Sequence, residues 1–426
     1  MSNSPVLLIA GASARAAAFS ALRAGLRPWC VDLFADADLR LRCPVQAIPA
    51  KRYPRGLIEY FREAPPGPWM YTGALENHPA LIERLSRLRP LWGNPADALR
   101  RVRSPLVVAK MLCEAGLPCP EVRMGGQDLP ANKRWLVKPF AGAGGAGIRF
   151  WEPNARTAKD RVYFQEYIEG IPCSAVFADL SPSPPASGGE GWGEGGSGAA
   201  RDPEPPNPRP LSPFQGERGV GRVQLLGVTE QLIGEDWLHA WPFRWCGNIG
   251  PISISPALRE RLELLGEVLA REFALSGLIG VDFILRDDCP WPVEINPRYT
   301  GAVEVLEYAD VESFLGEPSP VRGRVPPLTR PLTGLGSPRN DSPIIGKAIL
   351  FAKHDFCFPA DGPWMDILRS PLPIEQMPAF ADIPAVGTRI ETGQPVLTMF
   401  TEGNTVDQCR QRLRMITQDI EHLLDS

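Results

Sequence analysis

A strand that ends at a lysine and leads into a glycine-rich turn constrains the fold of this chain more than any other feature. Residues 135–151 read WLVKPFAGAGGAGIRFW, and the apolar segment reaches Lys138. Four glycines follow, at Gly142, Gly144, Gly145 and Gly147. Glycines let backbone N–H groups close around phosphate oxygens because no Cβ atom interferes. Lys138 adds a positive point charge and is expected to be an exposed side chain. The segment therefore predicts a β-hairpin that binds the phosphates of a nucleoside triphosphate.

A second motif, FQEYIEG, occupies residues 164–170. Its backbone is predicted to pair with the edge of an adenine ring. The motif contributes five candidate nucleotide-binding residues: Gln165, Glu166, Tyr167, Ile168 and Glu169.

A third motif places two acids and an amide on consecutive predicted strands. Glu294 and Asn296 face the same side of one strand because side chains alternate with a period of two. Asp282 lies on the other strand of the same predicted hairpin and can join them. Two neighbouring acids repel each other unless a cation lies between them. The three side chains predict a site for Mg²⁺ or Mn²⁺ that bridges ATP phosphates. Arg298, just beyond them, is predicted to hold a transferred phosphoryl group or a substrate carboxylate.

The overall composition excludes several classes of protein. The 426 residues include 45 Lys and Arg against 49 Asp and Glu, so a nucleic-acid partner is not expected. No apolar run approaches the roughly 20 residues of a membrane-spanning helix. The nine cysteines are scattered without a Cys-x-x-Cys pair, and the first residues lack the basic region of a signal peptide. These features predict a cytoplasmic protein with reduced thiols and no membrane association.

Taken in this order, the three motifs resemble those of the ATP-grasp superfamily. The chain as a whole is most similar to the predicted ATP-dependent carboligases that are distantly related to biotin carboxylase. Further segments that carry this resemblance are GALEN from Gly73, LWGN ending at Asn94, and WCGNIGP from Trp245. The resemblance implies an α/β fold with a parallel-sheet pre-ATP-grasp domain, a two-lobed ATP-grasp domain and a small β-rich C-terminal module.

Composition shifts along the chain suggest where these parts begin and end. The pre-ATP-grasp domain is expected over residues 1–104 and the ATP-grasp domain over 105–315. A Pro- and Gly-rich stretch at 181–220 predicts a disordered insertion in a surface hairpin. A second such stretch at 316–342 predicts a linker, and residues 343–426 predict the β-rich module with a closing helix.

The resemblance implies an ADP-forming ligase that joins a small-molecule carboxylate to an amine through an acyl phosphate. ATP and Mg²⁺ or Mn²⁺ would be its cofactors, and Lys138 and Arg298 its catalytic residues. Several relatives belong to one-carbon pathways, so the biosynthesis of a tetrahydromethanopterin- or methanofuran-type cofactor is the implied setting. Two alternatives stay open: a carboxylase that uses bicarbonate, and an ATP-binding regulatory protein with weak catalysis. The oligomeric state is left open, with a homodimer as one candidate.

Some positions depart from the family pattern. Ser104-Pro105 stands where many members have a lysine that contacts phosphate, so Arg103 or Lys110 is the candidate substitute. Glu76 and Asn77 fit either a helix N-cap or substrate contacts. Glu304 is a further candidate for the site. Asp32 follows a predicted strand, but the glycine pattern before it does not match a dinucleotide site.

Overall fold

The computed structural model describes residues 5–125, 129–152, 161–179, 223–309 and 342–425. The strands of these residues are β1 Val6–Ala10, β2 Arg27–Asp32, β3 Val45–Ala47, β4 Trp69–Tyr71, β5 Val122–Arg123, β6 Trp135–Pro139, β7 Arg149–Phe150, β8 Val162–Glu166, β9 Ile171–Asp179, β10 Val223–Ile233, β11 Trp245–Gly250, β12 Gly277–Arg286, β13 Cys289–Asn296, β14 Ile344–Phe351, β15 Phe356–Cys357, β16 Phe380–Ala381, β17 Arg389–Ile390 and β18 Pro395–Gly403. The helices are α1 Arg15–Arg23, α2 Ala37–Arg40, α3 Leu57–Glu63, α4 Pro79–Ser86, α5 Ala96–Val102, α6 Pro105–Glu114, α7 Pro256–Phe273, α8 Gly301–Ala309, α9 Met365–Arg369 and α10 Val406–Leu424.

The N-terminal part forms a parallel sheet with the strand order β3-β2-β1-β4. Its strands are short apolar runs, which is typical of parallel strands that are covered on both faces. The order changes direction between β1 and β4, because β2 and β3 extend to one side of β1 and β4 lies on the other. Loops that follow β1 and β4 therefore meet at the switch point of the sheet, where open α/β sheets commonly bind ligands.

Two antiparallel sheets follow in the chain. A four-stranded sheet has the order β5-β8-β6-β7, and the glycine-rich turn joins β6 to β7. An eight-stranded sheet has the order β13-β12-β9-β10-β11-β14-β18-β16. The predicted α/β class, with a parallel sheet and additional antiparallel layers, is confirmed.

The eight-stranded sheet changes how residues 343–426 are understood. Strand β14 hydrogen-bonds to β11, with Lys347 opposite Asn248, and also to β18. The C-terminal strands thus extend the sheet of the preceding domain, and the boundary predicted at residue 343 falls within a continuous sheet. Helix α10 follows β18, and Thr405 caps its start with a side chain that accepts a hydrogen bond from the Gln408 amide.

The predicted insertion and linker lie outside the described residues, apart from residue 342 at the end of the linker. The strands on either side of the insertion are described, and they pair directly: Asp179 at the end of β9 is opposite Val223 at the start of β10. The described ends of β9 and β10 are therefore neighbours in the sheet. Among the described residues, no helix combines the length and apolar character needed to cross a membrane.

Candidate active site

A cleft of about 790 Å³ lies between the four-stranded sheet, helix α6 and strand β13. This volume includes space that is open to solvent. One side is apolar and includes Val108 and Leu112 of α6. The other side carries Lys138, the glycine-rich turn and Glu294, so polar groups converge at one end of the cleft.

Lys138 lies at the end of β6 and is only 7% exposed, which differs from the exposed side chain expected from the sequence. Its Nζ atom donates to Gln165 Oε1 at 3.0 Å and to the carbonyl oxygen of Val293 at 3.1 Å. These contacts hold the ammonium group between the small sheet and β13. The lysine thus lines the cleft as a positioned, buried cation.

The glycine-rich turn is held against the segment that precedes β11. Gly145 has a φ of +81°, and a Cβ atom built there would lie 1.8 Å from the carbonyl oxygen of Phe243. The Trp245 amide donates to the carbonyl oxygen of Gly144 at 3.2 Å. Only glycine fits this approach, because any side chain at position 145 would collide with backbone. Gly142, Gly144 and Gly145 line the cleft, while Gly147 lies just outside it.

The structure brings only part of the predicted adenine-binding motif to the cleft. Gln165 lines the cleft and accepts the Lys138 hydrogen bond. Glu166, Tyr167, Ile168 and Glu169 do not line it. The Glu166 amide donates to the Glu121 carbonyl at 2.8 Å, and the Tyr167 amide donates to the Arg134 carbonyl at 2.8 Å. The structure therefore brings one of the five predicted residues to the cleft, and the nucleotide contacts of the other four stay a prediction.

The three predicted metal ligands lie on one face of the β12–β13 hairpin. Asp282 is directly opposite Glu294 in the strand register. Asn296 Nδ2 donates to Asp282 Oδ2 at 3.0 Å. The sequence analysis missed Gln231 of β10, whose Nε2 donates to Asp282 Oδ1 at 3.0 Å. Gln231 lies on the same face of β10 as Thr229, but Glu230 between them is also polar, so no alternation of polar and apolar residues marks this face in the sequence.

The two acids have opposite electrostatic environments. Burial, and then the charge of Glu294, raise the pKa of Asp282 to about 7. Burial also disfavours the charged form of Glu294, but the nearby cations Arg103 and Lys138 outweigh it and lower the pKa of Glu294. Two adjacent carboxylates, one of which has its pKa raised by burial and by the charge of the other, provide a setting that a divalent cation would stabilise.

The donor set fits Mg²⁺, which prefers carboxylate and amide oxygens. Asp282 and Glu294 would supply carboxylate oxygens, and Asn296 its amide oxygen, which now accepts a hydrogen bond from Arg298 Nη2 at 3.1 Å. Among the described residues, no group of three or more His, Cys, Asp or Glu side chains is arranged to hold a metal. The predicted site thus depends on its amide ligand as well as its two acids.

Arg298 connects the metal-ligand face to the N-terminal domain. Its Nε donates to Glu76 Oε1 at 2.8 Å. Asn77, the next residue, accepts from Arg103 Nη2 at 2.6 Å and donates to the Gly142 carbonyl at 3.1 Å. Neither side chain caps helix α4, whose N-cap has no side-chain hydrogen bond, so the N-cap alternative was wrong. Both residues reach the site from the switch point of the parallel sheet.

The structure separates the two candidates for the missing phosphate lysine. Arg103 lines the cleft, and its Nη1 donates to Glu294 Oε1 at 2.8 Å. Lys110 is on the solvent side of α6, with its side chain 76% exposed, and its ion pair is with Glu114. Of the two, only Arg103 is placed to contact a phosphate in this cleft.

Two other acids lie away from the cleft. Glu304 is completely buried and accepts hydrogen bonds from Arg15 and from Lys347 Nζ, at 2.7 Å for the latter. Asp32 accepts hydrogen bonds from the amides of Ala14, Phe34 and Ala35. Its oxygens are therefore committed to the loops after β1 and β2, which removes the basis for a dinucleotide ribose contact.

Residues 104–180 and 219–302 match the ATP-grasp domain family, and most of the residues that line the cleft lie within these two ranges. The chain therefore carries an ATP-grasp domain over these residues. An uncharacterised protein of Methanocaldococcus jannaschii is 28% identical over 160 residues, which are 38% of this chain and 34% of that protein. The match therefore spans about a third of the length of this curated relative.

Solved structures share the fold over nearly the whole chain. An L-amino acid ligase from Bacillus licheniformis superposes with a TM-score of 0.61 at 13% identity, covering 98% of each chain. The biotin carboxylase domain of the Hydrogenobacter thermophilus 2-oxoglutarate carboxylase, solved with MgADP, ADP and bicarbonate, has a TM-score of 0.61 at 12% identity and covers 96% of this chain and 89% of that one. These likenesses place the fold of the chain among those of ATP-grasp enzymes, including biotin carboxylase.

Proposed function

We propose that this protein is an ADP-forming ligase that joins a carboxylate to an amine through an acyl phosphate. The observation that carries the proposal is the position of Glu294, which lies between Arg103 and Lys138 at the polar end of the cleft and opposite Asp282. Cations and paired acids at one end of an otherwise apolar pocket suit a nucleoside triphosphate whose phosphates meet both. ATP is therefore the proposed nucleotide.

The chemistry follows from how these side chains are placed. A substrate carboxylate oxygen attacks the γ-phosphorus of ATP, the bond to ADP breaks, and an acyl phosphate forms. The nitrogen of the neutral amine then attacks the acyl carbon, the bond to phosphate breaks, and the one proton that the nitrogen loses leaves with the phosphate. Mg²⁺, held by Asp282, Glu294 and Asn296, would neutralise phosphate charge. Lys138 and Arg103 bind the phosphates, and Arg298 orients the carboxylate beside them.

A hydroxylamine assay tests this proposal. The protein is incubated with ATP, Mg²⁺ and hydroxylamine against a panel of small carboxylates, and ADP and hydroxamate are measured. Carboxylate-dependent ADP, matched by hydroxamate, is the expected result. Lys110→Ala, outside the cleft, serves as the control variant and should behave like the wild type.

The same assay separates the alternatives. ADP formation that needs bicarbonate and no other carboxylate would favour the carboxylase. Absence of ADP with every carboxylate and with bicarbonate would overturn the enzyme proposal and favour the regulatory protein. The one-carbon cofactor setting rests on the sequence resemblance alone, and carboxylates of that pathway belong in the panel.

A further inference from the structure

Glu76 presents an unused oxygen at the switch point of the parallel sheet. The residue follows β4 and is 2% exposed. Its Oε1 atom accepts the Arg298 hydrogen bond at 2.8 Å, whereas its Oε2 atom is buried without a hydrogen-bond partner. Buried polar atoms are normally paired, and an unpaired carboxylate oxygen is strongly disfavoured. This oxygen therefore indicates a donor that the protein alone does not supply.

Tyr53 is a second unpartnered group in the same electrostatic neighbourhood. Its hydroxyl is buried and has no hydrogen-bond partner. Burial, and then the charges of Glu76 and Asp32, raise the pKa of this phenol, while Arg298 opposes the shift. Tyr53 thus stays neutral close to Glu76, and its oxygen can accept a hydrogen bond.

The chemistry of the two groups selects a class of ligand. A carboxylate only accepts hydrogen bonds, and a phenol can accept one as well. An ammonium group carries three donors and a charge opposite to that of Glu76, so its chemistry suits both unpartnered oxygens. Arg298, on the other oxygen of Glu76, extends toward Asn296, where the phosphate end of the site begins.

We propose that Glu76 and Tyr53 form the subsite for the ammonium group of a primary amine substrate. This inference rests on the proposed ligase function and assigns the class of its second substrate. In the subsite, Glu76 is a specificity-determining residue that bridges the amine and Arg298. The carboxylate would lie on the metal-ligand side of Arg298 and the amine on the side of the parallel sheet.

The first test compares turnover with an uncharged nucleophile and with a positively charged one. Hydroxylamine is uncharged at neutral pH, whereas primary alkylamines and amino acids carry an ammonium group. With an accepted carboxylate, kcat/KM is measured for hydroxylamine and for the best amine of an amino-acid and alkylamine panel. Glu76→Gln should lower the value for the charged amine at least tenfold more than the value for hydroxylamine. Equal losses for both nucleophiles would overturn the subsite while leaving the ligase proposal intact.

Two further variants make the result specific. Tyr53→Phe should shift the same ratio in the same direction by several-fold. If Tyr53 instead only donates to Glu76, this variant would leave the ratio unchanged, which counts against its part in the subsite. Glu83→Gln removes an exposed glutamate that pairs with Arg87 and Arg100, and it should leave the ratio at the wild-type value.

A binding measurement does not depend on turnover. Ethanolamine hydrochloride is compared with sodium chloride of equal concentration in thermal unfolding of the wild type and of Glu76→Gln, each with ATP and Mg²⁺. Stabilisation by ethanolamine of the wild type alone supports the subsite, because a ligand that binds the folded state raises its stability. Equal shifts in both proteins would overturn it. The earlier assay could show no carboxylate-dependent ADP while ethanolamine still stabilises the wild type and not Glu76→Gln. That pair of results would reject the ligase proposal and retain an ammonium site.

Discussion

At the scale of single residues, burial changes what a charged side chain does in this protein. Lys138 is expected from its position beside a glycine-rich turn to be an exposed phosphate contact. In the structure it is enclosed, and its ammonium group bridges Gln165 and the Val293 carbonyl. The same group is therefore available to ATP and also helps to join the small sheet to β13.

Lys138→Ala should lower the affinity for ATP·Mg²⁺ by about 10- to 150-fold, the equivalent of about 1.5–3 kcal/mol for a hydrogen bond to a charged group. It should also lower the melting temperature without nucleotide, because two buried acceptors lose their donor. Calorimetric titration and thermal unfolding measure the two effects. Lys110→Ala is the matched control, since it removes an exposed lysine of the same lobe. Unchanged ATP affinity in Lys138→Ala would remove this residue from the nucleotide site.

The acid pair gives a second prediction at this scale. Glu294→Gln should weaken the binding of Mg²⁺ or Mn²⁺ in the presence of ATP by at least tenfold, because it removes one of two ligand charges. Asp282→Asn should do the same. Metal-dependent thermal stabilisation, measured over a range of Mn²⁺ concentrations, gives an estimate that does not require turnover. Wild-type metal dependence in both variants would contradict the metal assignment.

At the scale of elements, the glycine-rich turn depends on one close approach. Gly144 and Gly145 both have positive φ angles, +57° and +81°. A Cβ atom at Gly144 would meet nothing within 4 Å, whereas one at Gly145 would overlap the Phe243 carbonyl. Both residues therefore have a backbone conformation that strains any residue with a side chain, but only at Gly144 is there room for a Cβ atom.

Gly145→Ala should therefore displace the turn, and Gly144→Ala should not. We expect Gly144→Ala to cost about 1 kcal/mol of stability, the scale of a left-handed conformation for a residue with a Cβ atom. Gly145→Ala should cost clearly more and weaken ATP binding as well. Urea unfolding and ATP titration of both variants provide the comparison. Equal effects would show that the contact with Phe243 does not position the turn.

The helices and strands also show how much of the fold can be predicted from the sequence alone. Helix α7 is of the kind that a sequence can predict, because Ser255 caps its start and its apolar residues recur with helical spacing. The β12–β13 hairpin and its three polar side chains were predicted from strand alternation. Helix α8 was missed: all residues from Ala302 to Ala309 are buried, so its sequence shows no solvent-facing polar stripe.

The site residues likewise include some that the sequence could predict and some that it could not. Lys138 and the acid pair belong to local motifs, so their proximity could be predicted. Glu76 meets Arg298 across 222 residues of sequence, and no local pattern encodes such a contact. Arg103 and Lys110 were equivalent in sequence, since only the packing of α6 determines which of them faces the cleft.

At the scale of the whole molecule, a buried ion network joins distant parts of the chain. Arg15 of α1 donates to both oxygens of Glu304 in α8, and its Nε donates to Asp382 Oδ1 at 2.8 Å. Lys347 of β14 donates to Glu304 as well. The network therefore connects the parallel-sheet domain, the ATP-grasp domain and the C-terminal strands at one point in the interior.

Glu304→Gln should destabilise the folded protein by about 3–5 kcal/mol, because it leaves two buried cations without their shared partner. Although burial opposes ionisation, Arg15 and Lys347 lower the pKa of Glu304 to about 2. The folded-state pKa thus lies below the ordinary value of 4.5, so the stabilisation is complete above pH 4.5 and is lost as the pH falls toward 2.

Urea unfolding of the wild type and Glu304→Gln at a series of pH values tests both statements, since their difference cancels most other titrating groups. The difference should be constant from neutral pH down to about pH 4.5 and should shrink below it. Glu59→Gln, which removes an exposed partner of Arg52, should stay within about 0.5 kcal/mol of the wild type throughout. A difference that is small at neutral pH would mean that packing, and not this ion network, holds the three parts of the chain together.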